Sequence, residues 1–372
     1  MKLSGQCLTL GIIASLLGAC GSMHPNASLS RRAQADQLHF QSAQKKLAYI
    51  QQGRAQQLIK ELQARDYTVL EADLSRVDAD FRKDPANELG YSAVIYGFVG
   101  CGTKAQEPEL LEWTTTRPDS AWSHLSLGIY YDGMACSVRG EDWASNTSDQ
   151  QFAQMDEYLA KARPELERAQ RLDPKLAPAY WDMIIVSKMQ GNLDAATAAL
   201  NQSLKNAPAS YLAATDYMDA LSPRWLGSYE QMDAFAESML AYLDKNPRYW
   251  ELQGYVEAEK GDVAYRDNDM KTALEHYRAA LAFGDVWSWL KFAGESARAQ
   301  WVDGDALGYY MRVARYEKPM IEEDKKVLDN IVDNCKVLPK ACVMDPKKFP
   351  WYGEPGPHDP ADESPVKGGD LK

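Results

Sequence analysis

Residues 162–208 read Ala162-RPELERAQRLD-Pro174-KLAPAYWDMIIVSKMQ-Gly191-Asn192-LDAATAALNQSLKNA-Pro208, and their spacing decides the fold. Ala162, Leu166, Ala169 and Pro174 return 34 residues later as Ala196, Leu200, Ser203 and Pro208. Each position has a physical reason. The small residues let two helices approach closely, Leu200 fills the space between them, and Pro208 cannot continue a helix and so turns the chain. Gly191-Asn192 ends the first helix of the unit as a left-handed cap would. The expected fold is all-α, built of tandem antiparallel helix pairs in one continuous array.

A period of 34 with small, bulky apolar, small and proline positions at these offsets resembles the tetratricopeptide repeat, and implies a tetratricopeptide-like α-solenoid. The ruler extends in both directions. Upstream, Leu70, Leu74, Val77 and Phe81 lead to Asp84-Pro85, a second helix runs from Glu88 to about Phe98, and Pro108 to Trp113 stops at Pro118. Trp122 to Tyr131 resembles a first repeat helix, with Leu127-Gly128 and Tyr131 at the consensus offsets. Its partner ends late, at Pro174, which implies an insertion of about 22 residues near Gly133–Asp149. That insert, holding Cys136, Arg139, Glu141, Asp142 and Trp143, is either a binding loop or decoration. Downstream, Pro223–Ser228 interrupts a unit before Met232, Phe235, Met239 and Leu243 resume helical spacing. Gly261, Ala273, Tyr277 and Ala280 match again, with Asp285 in place of the terminal proline. Trp287–Ala299 and Asp305–Arg315 form a last pair ending at Pro319, and a capping helix near Ile321–Cys335 should close the array.

Three stretches carry a narrower resemblance: Trp122–Tyr131 with its insert containing Arg139-Gly140, Leu172-Asp173-Pro174, and Pro223–Tyr229 with Phe235. Together they resemble the bacterial domain-of-unknown-function family 4034 over roughly Leu62 to Pro319. The resemblance implies helices and no catalytic residue.

The ends of the chain are read separately. Lys2, the apolar run Leu8–Leu17 and the small residues that follow have the layout of a signal peptide, residues 1–19, too short to span a bilayer. Leu17-Gly18-Ala19-Cys20 resembles the bacterial lipobox, which implies lipidation of Cys20. The absence of Asp after the cysteine implies sorting to the outer membrane, with the chain anchored there and facing the periplasm. Residues 20–29 are expected to be a tether, 30–335 the helical array, and 336–372 a disulfide-closed end with a disordered Pro/Gly-rich tail. Ser30–Arg65 reads as a helical stretch with a thin apolar stripe.

Gly21–Asp66 carries seven Lys/Arg against three Asp/Glu, while Tyr67–Lys372 carries 33 against 50. The acidic body argues against nucleic acid as a partner. The basic segment reads as a solvated helix face in preference to a lipid contact. With Cys7 in the signal and Cys20 lipidated, Cys101, Cys136, Cys335 and Cys342 remain in an oxidising compartment. Nearest-neighbour pairing gives Cys101–Cys136 and Cys335–Cys342.

No phosphate loop, dinucleotide motif, zinc-protease motif or nucleophile elbow is present. Five histidines without a dense His/Cys/Asp cluster leave little for a metal centre, so no metal, cofactor or catalytic residue is expected. The functional expectation is a scaffold that binds an envelope protein or peptide. Counting each unit from the ruler puts Trp122, Asp132, Trp181, Lys188, Tyr255, Tyr265, Arg266 and Trp289 on the concave side, where they would form a partner groove or else fill spaces between helices. The alternative is a cell-envelope or peptidoglycan-active enzyme with Arg139, Glu141 and Asp142 in the 133–149 insert.

Overall fold

The computed structural model describes residues 25–100, 106–140, 144–316, 322–337 and Cys342. Among the described residues there are sixteen α-helices, short 3-10 turns and no strand. The repeat ruler marks real helix pairs: α6 (Ala121–Arg139) with α7 (Asp149–Leu172), α8 (Pro178–Met189) with α9 (Leu193–Asn206), and α10 (Tyr211–Ala220) with α11 (Tyr229–Met239). Then α12 (Tyr255–Arg266) pairs with α13 (Met270–Ala280) and α14 (Trp287–Ala299) with α15 (Asp303–Tyr316), and α16 (Glu322–Val337) packs on α15 to cap the end. First helices also touch in succession, α6 to α8 to α10 and α12 to α14, which is the inner row of a tetratricopeptide-like solenoid.

The small and bulky positions act as the spacing requires. Ala162, Leu166, Ala169 and Ala196 have no exposed surface, and Leu200 and Ser203 almost none. A Cβ on Gly128 would lie 2.7 Å from Leu166 and one on Gly261 2.9 Å from Tyr277, so a bulky second-helix residue rests directly on the first-helix backbone. Gly191 adopts φ +70°, and the Asn192 side chain caps α9 by accepting from the Ala195 N–H.

Three boundaries differ from the sequence reading. The Ser30–Arg65 stretch is two helices, α1 (Pro25–Gln51) and α2 (Arg54–Gln63), broken at Gly53 with φ +62°. Helix α1 begins at Pro25, so helix already occupies the last part of the expected tether. Much of the expected insert is helix: α6 has 19 residues and α7 has 24, against 12 and 14 for α8 and α9, and α6 ends at Arg139 while α7 starts at Asp149. Gly140 at φ +75° ends α6, and a Ser148–Gln151 capping box starts α7.

The segment ahead of α5 (Glu107–Thr116) does not simply stack as further repeats. Helices α3 (Tyr67–Lys83) and α4 (Glu88–Val99) fold inward, with α4 against α6, and α1 crosses to α15 and to the 3-10 segment Pro247–Gly254. The concave side is thereby packed with the chain's own N-terminal helices. Cys335 and Cys342 form the expected disulfide, with Cα atoms 5.5 Å apart. Cys20, the signal, Cys101 and hence its pairing with Cys136, the Glu141-Asp142-Trp143 group, Pro319 and the tail lie outside the described residues. The Cys136 sulfur is 3.8 Å from the Met189 sulfur.

Candidate partner-binding face

The eight residues expected to line an open groove do not form one. Trp181 has no exposed surface: its indole N–H donates to Ser210 Oγ at 2.8 Å, and Phe81 and Tyr91 meet its ring edge-on with centroids 5.9 and 5.6 Å away. Asp132, on α6, is buried as well. Tyr255 and Trp289 pack on each other in a T-shape at 5.1 Å, and the Tyr265 hydroxyl donates to Glu295. Trp122 sits apart, half-buried, bonded through its indole N–H to Ser75 Oγ at 3.0 Å. Arg266 is exposed at the end of α12. The physical reason is that α3 and α4 cover the middle of the concave side, so most of these side chains fill interhelical space.

Lys188 leads to a different arrangement. It pairs with Asp219 and lies 4.7 Å from the Trp225 ring, whose centroid is 5.5 Å from the Arg139 guanidinium. Arg224 pairs with Glu259 and approaches Asp219 at 3.6 Å. The end of α6 and the Pro223–Ser228 interruption, far apart in sequence, therefore meet at one rim of the inner row. Two cation–π contacts to the half-buried Trp225 hold that rim together.

Behind the rim lie three acids from three successive inner helices. Burial pushes Asp132 up to about 7 against the pull of Lys188, and Asp216 up to about 8. Asp182 goes well above the carboxylate range, first through burial and then through Asp132. The Tyr96 hydroxyl from α4 donates to Asp182 at 3.2 Å. Glu88, also on α4, accepts from the Ser210 hydroxyl at 2.8 Å and the Tyr211 N–H at 3.0 Å, and burial lifts it to about 7. No group of three or more His, Cys, Asp or Glu among the described residues is arranged to hold a metal ion.

A second polar network seats α1, and sequence reasoning missed it. Arg32 meets Asp285 at 2.6 Å and Asp36 at 3.1 Å, and the Asp285 N–H donates to Asp36 at 2.7 Å. Arg312 Nε donates to Asp285 at 2.7 Å and the Tyr316 hydroxyl at 3.3 Å. Burial works against the Asp285 carboxylate, but Arg312 and then Arg32 outweigh it and hold it below its ordinary range. Burial and then Asp285 lift Asp36 to about 7. One turn on, His39 faces Glu251 at 3.6 Å, and burial and then Arg248 keep it below the ordinary histidine value. Burial opposes the Glu251 charge too, yet Arg248, bonded to it at 3.1–3.3 Å, helps hold it at about 2. The basic N-terminal segment is thus not merely a solvated face: Arg32, Asp36, His39 and Ser42 are all buried.

The open concavity lies on the other flank of α1. Ser30, Arg31, Gln34, Leu38, Leu243 and Pro247 line a furrow between α1 and residues 240–247, made of two adjoining hollows of about 500 and 560 Å³.

These features define a helical-repeat scaffold of the tetratricopeptide-like kind, with its concave side largely self-occupied. Residues 54–194 match the family model of a domain of unknown function, DUF4034. The match takes in Trp122–Tyr131, Arg139-Gly140 and Leu172–Pro174, and ends before Pro223–Tyr229 and Phe235. No curated protein matches the chain. Among solved structures it is similar to one described as the crystal structure of the APC/C hetero-tetramer Cut9-Hcn1, with 15% identity and a TM-score of 0.34, over 79% of this chain and 52% of that one. The chain thus spans about half the length of that protein.

Proposed function

We propose that this chain is an outer-membrane-anchored, periplasm-facing scaffold that holds an extended protein or peptide segment in the furrow beside α1, in a binding and not a catalytic role. The furrow carries the reading. Gln34, Gln37 and Gln41 each offer an amide donor and an acceptor, as an extended backbone requires, and Leu38 and Leu243 supply apolar contact. The anchor rests on the Leu17–Cys20 pattern, and several acyl chains on Cys20 would hold the chain firmly where one would not.

The test has two arms. Cys20→Ala should move the protein from the membrane to the soluble fraction; retention, with no lipid on the wild type by mass spectrometry, removes the anchor. Leu38→Asp with Leu243→Asp should abolish capture of the envelope protein or peptide that wild type retains, at unchanged helicity. Normal capture by that folded double variant moves the site to the Trp225 rim.

A further inference from the structure

We propose that α1 is an exchangeable element, and that its seat on the array is a docking site for the α1 of a second copy of this chain. The helix has 27 residues, about 40 Å of length, and ties two distant parts of the molecule together. Near one end Arg32 meets Leu281 and Asp285, and towards the other Gln44 reaches the Arg315 carbonyl, Lys45 pairs with Asp84 and Tyr49 packs on Gly90.

Charge pairing favours release as a unit. Every buried charge of the seat has a partner from the array itself: Asp285 keeps Arg312 and Tyr316, and Glu251 keeps Arg248. Helix α1 carries its own compensation, since Arg32 pairs with Asp36 four residues on. Lifting α1 away therefore strands no buried ion, the event that makes breaking a buried salt bridge so unfavourable. Its buried apolar contribution is small, with Ala35, Phe40 and Ala43 the main members. Departure of α1 breaks the Arg32–Leu281 carbonyl bond and the Asp285 N–H bond to Asp36, and departure of α4 would add the loss of both bonds that Glu88 takes from Ser210 and Tyr211, so the exchangeable part ends before α4.

The hinge is Gln52-Gly53. Gly53 is held at φ +62°, and a Cβ there would meet nothing closer than Gln56 Oε1 at 3.8 Å. Backbone conformation alone requires glycine at this point. If residue 53 takes right-handed helical angles, α1 runs straight on into α2 and is carried off its own seat. A second copy in the same state presents the matching seat, and the exchange reproduces every α1 contact between chains. The occupant is a second copy because the seat is complementary to Arg32-x-x-x-Asp36-x-x-His39, and this chain carries that pattern.

Gly53→Ala is the test, since Ala disfavours the bent hinge and favours the continuous helix. Light scattering across a concentration series should show the dimer association constant rising on the order of 100-fold, because two hinges relax per dimer. Gly191→Ala is the control: it has the same left-handed backbone with no atom within 4 Å of its Cβ, at a turn that releases no terminal helix, and it should stay at the wild-type mass distribution. Carbodiimide coupling of the Lys45–Asp84 ion pair in a mixture of ¹⁴N and ¹⁵N protein reads the exchange directly. Mixed-isotope Lys45–Asp84 peptides in the dimer fraction are expected. A monomeric Gly53→Ala protein, or a dimer with same-isotope peptides only, overturns the proposal. If Gly53→Ala loses its helicity, wild type co-refolded from the two isotopic forms at high concentration replaces it, and the absence of mixed peptides there overturns it equally.

Discussion

Asp285→Ala should destabilise the chain by about 3–5 kcal/mol, the range for removing one member of a buried ion pair. The Asp285 side chain is fully buried, and its oxygens meet Arg32 at 2.6 Å, Arg312 Nε at 2.7 Å and the Tyr316 hydroxyl at 3.3 Å. Without the carboxylate, Arg312 is left charged in the interior, while Arg32 retains Asp36. Arg32→Ala is the milder change at Asp285, which keeps Arg312 and Tyr316, but it removes the ion pairs of Arg32 with Asp285 and Asp36 and its bond to the Leu281 carbonyl, a loss of at least about 1.5–3 kcal/mol. The two substitutions should not add. Once Asp285 is gone, Arg32 has lost its main partner across the interface, so the double variant should lie within about 1 kcal/mol of Asp285→Ala. Urea unfolding followed by far-ultraviolet circular dichroism gives the free energies. Hydrogen exchange over residues 25–51 locates the loss, since helical arrays open in parts. Protection in α1 should fall before protection in α6–α9. A strictly additive double variant, or an Asp285→Ala protein within about 0.5 kcal/mol of wild type, would refute the network as the clamp on α1.

Two further outcomes follow from the electrostatics and the packing. Asp36, Asp132 and Glu88 at about 7 and Asp216 at about 8 are raised, so the stability they contribute is present below the ordinary carboxylate values and lost as pH rises through 7–8. Glu251 at about 2 is depressed, so its contribution is present above its ordinary value of 4.5 and lost as pH falls toward 2. The melting temperature should therefore peak near pH 4, and Asp216→Asn should flatten the fall between pH 4 and 8; a peak near pH 8 in wild type would contradict the burial of these acids. Gly128→Leu should overpack the contact with Leu166 and lower stability by on the order of 1–3 kcal/mol in urea unfolding, and an unchanged midpoint would mean that α6 and α7 do not meet there.

The repeat was legible because its contacts are local and obey a size rule. Ala162, Leu166 and Ala169 are fully buried on α7, and the glycine on which Leu166 closes, Gly128, has its counterpart in Gly261 of another unit. The insert was misjudged for a related reason: a ruler counts residues between prolines and cannot tell a loop from two longer helices. The concave side was misjudged on different grounds. Trp181 at a first-helix inner position gives the same sequence signal whether solvent or Phe81 and Tyr91 lie above it, and the covering residues come from an earlier segment whose own period is helical too.

The seat of α1 was hidden by separation and by chemistry. Arg32 and Asp285 are 253 positions apart, and α1 presents to the array a stripe that is largely charged, which reads by composition as a solvated face. One signal was present. Asp285 stands where the ruler calls for proline, and the exception has a structural meaning: proline would remove both the carboxylate that receives Arg32 and Arg312 and the N–H that Asp36 accepts. A repeat position that elsewhere only turns the chain here turns it and grips an outside helix. Because the grip comes from ions already paired within the array, departure of α1 would leave Asp285 with Arg312 and Tyr316 and Glu251 with Arg248. That is the property a groove must have if its occupant is to be exchanged and the groove is not to unfold with it.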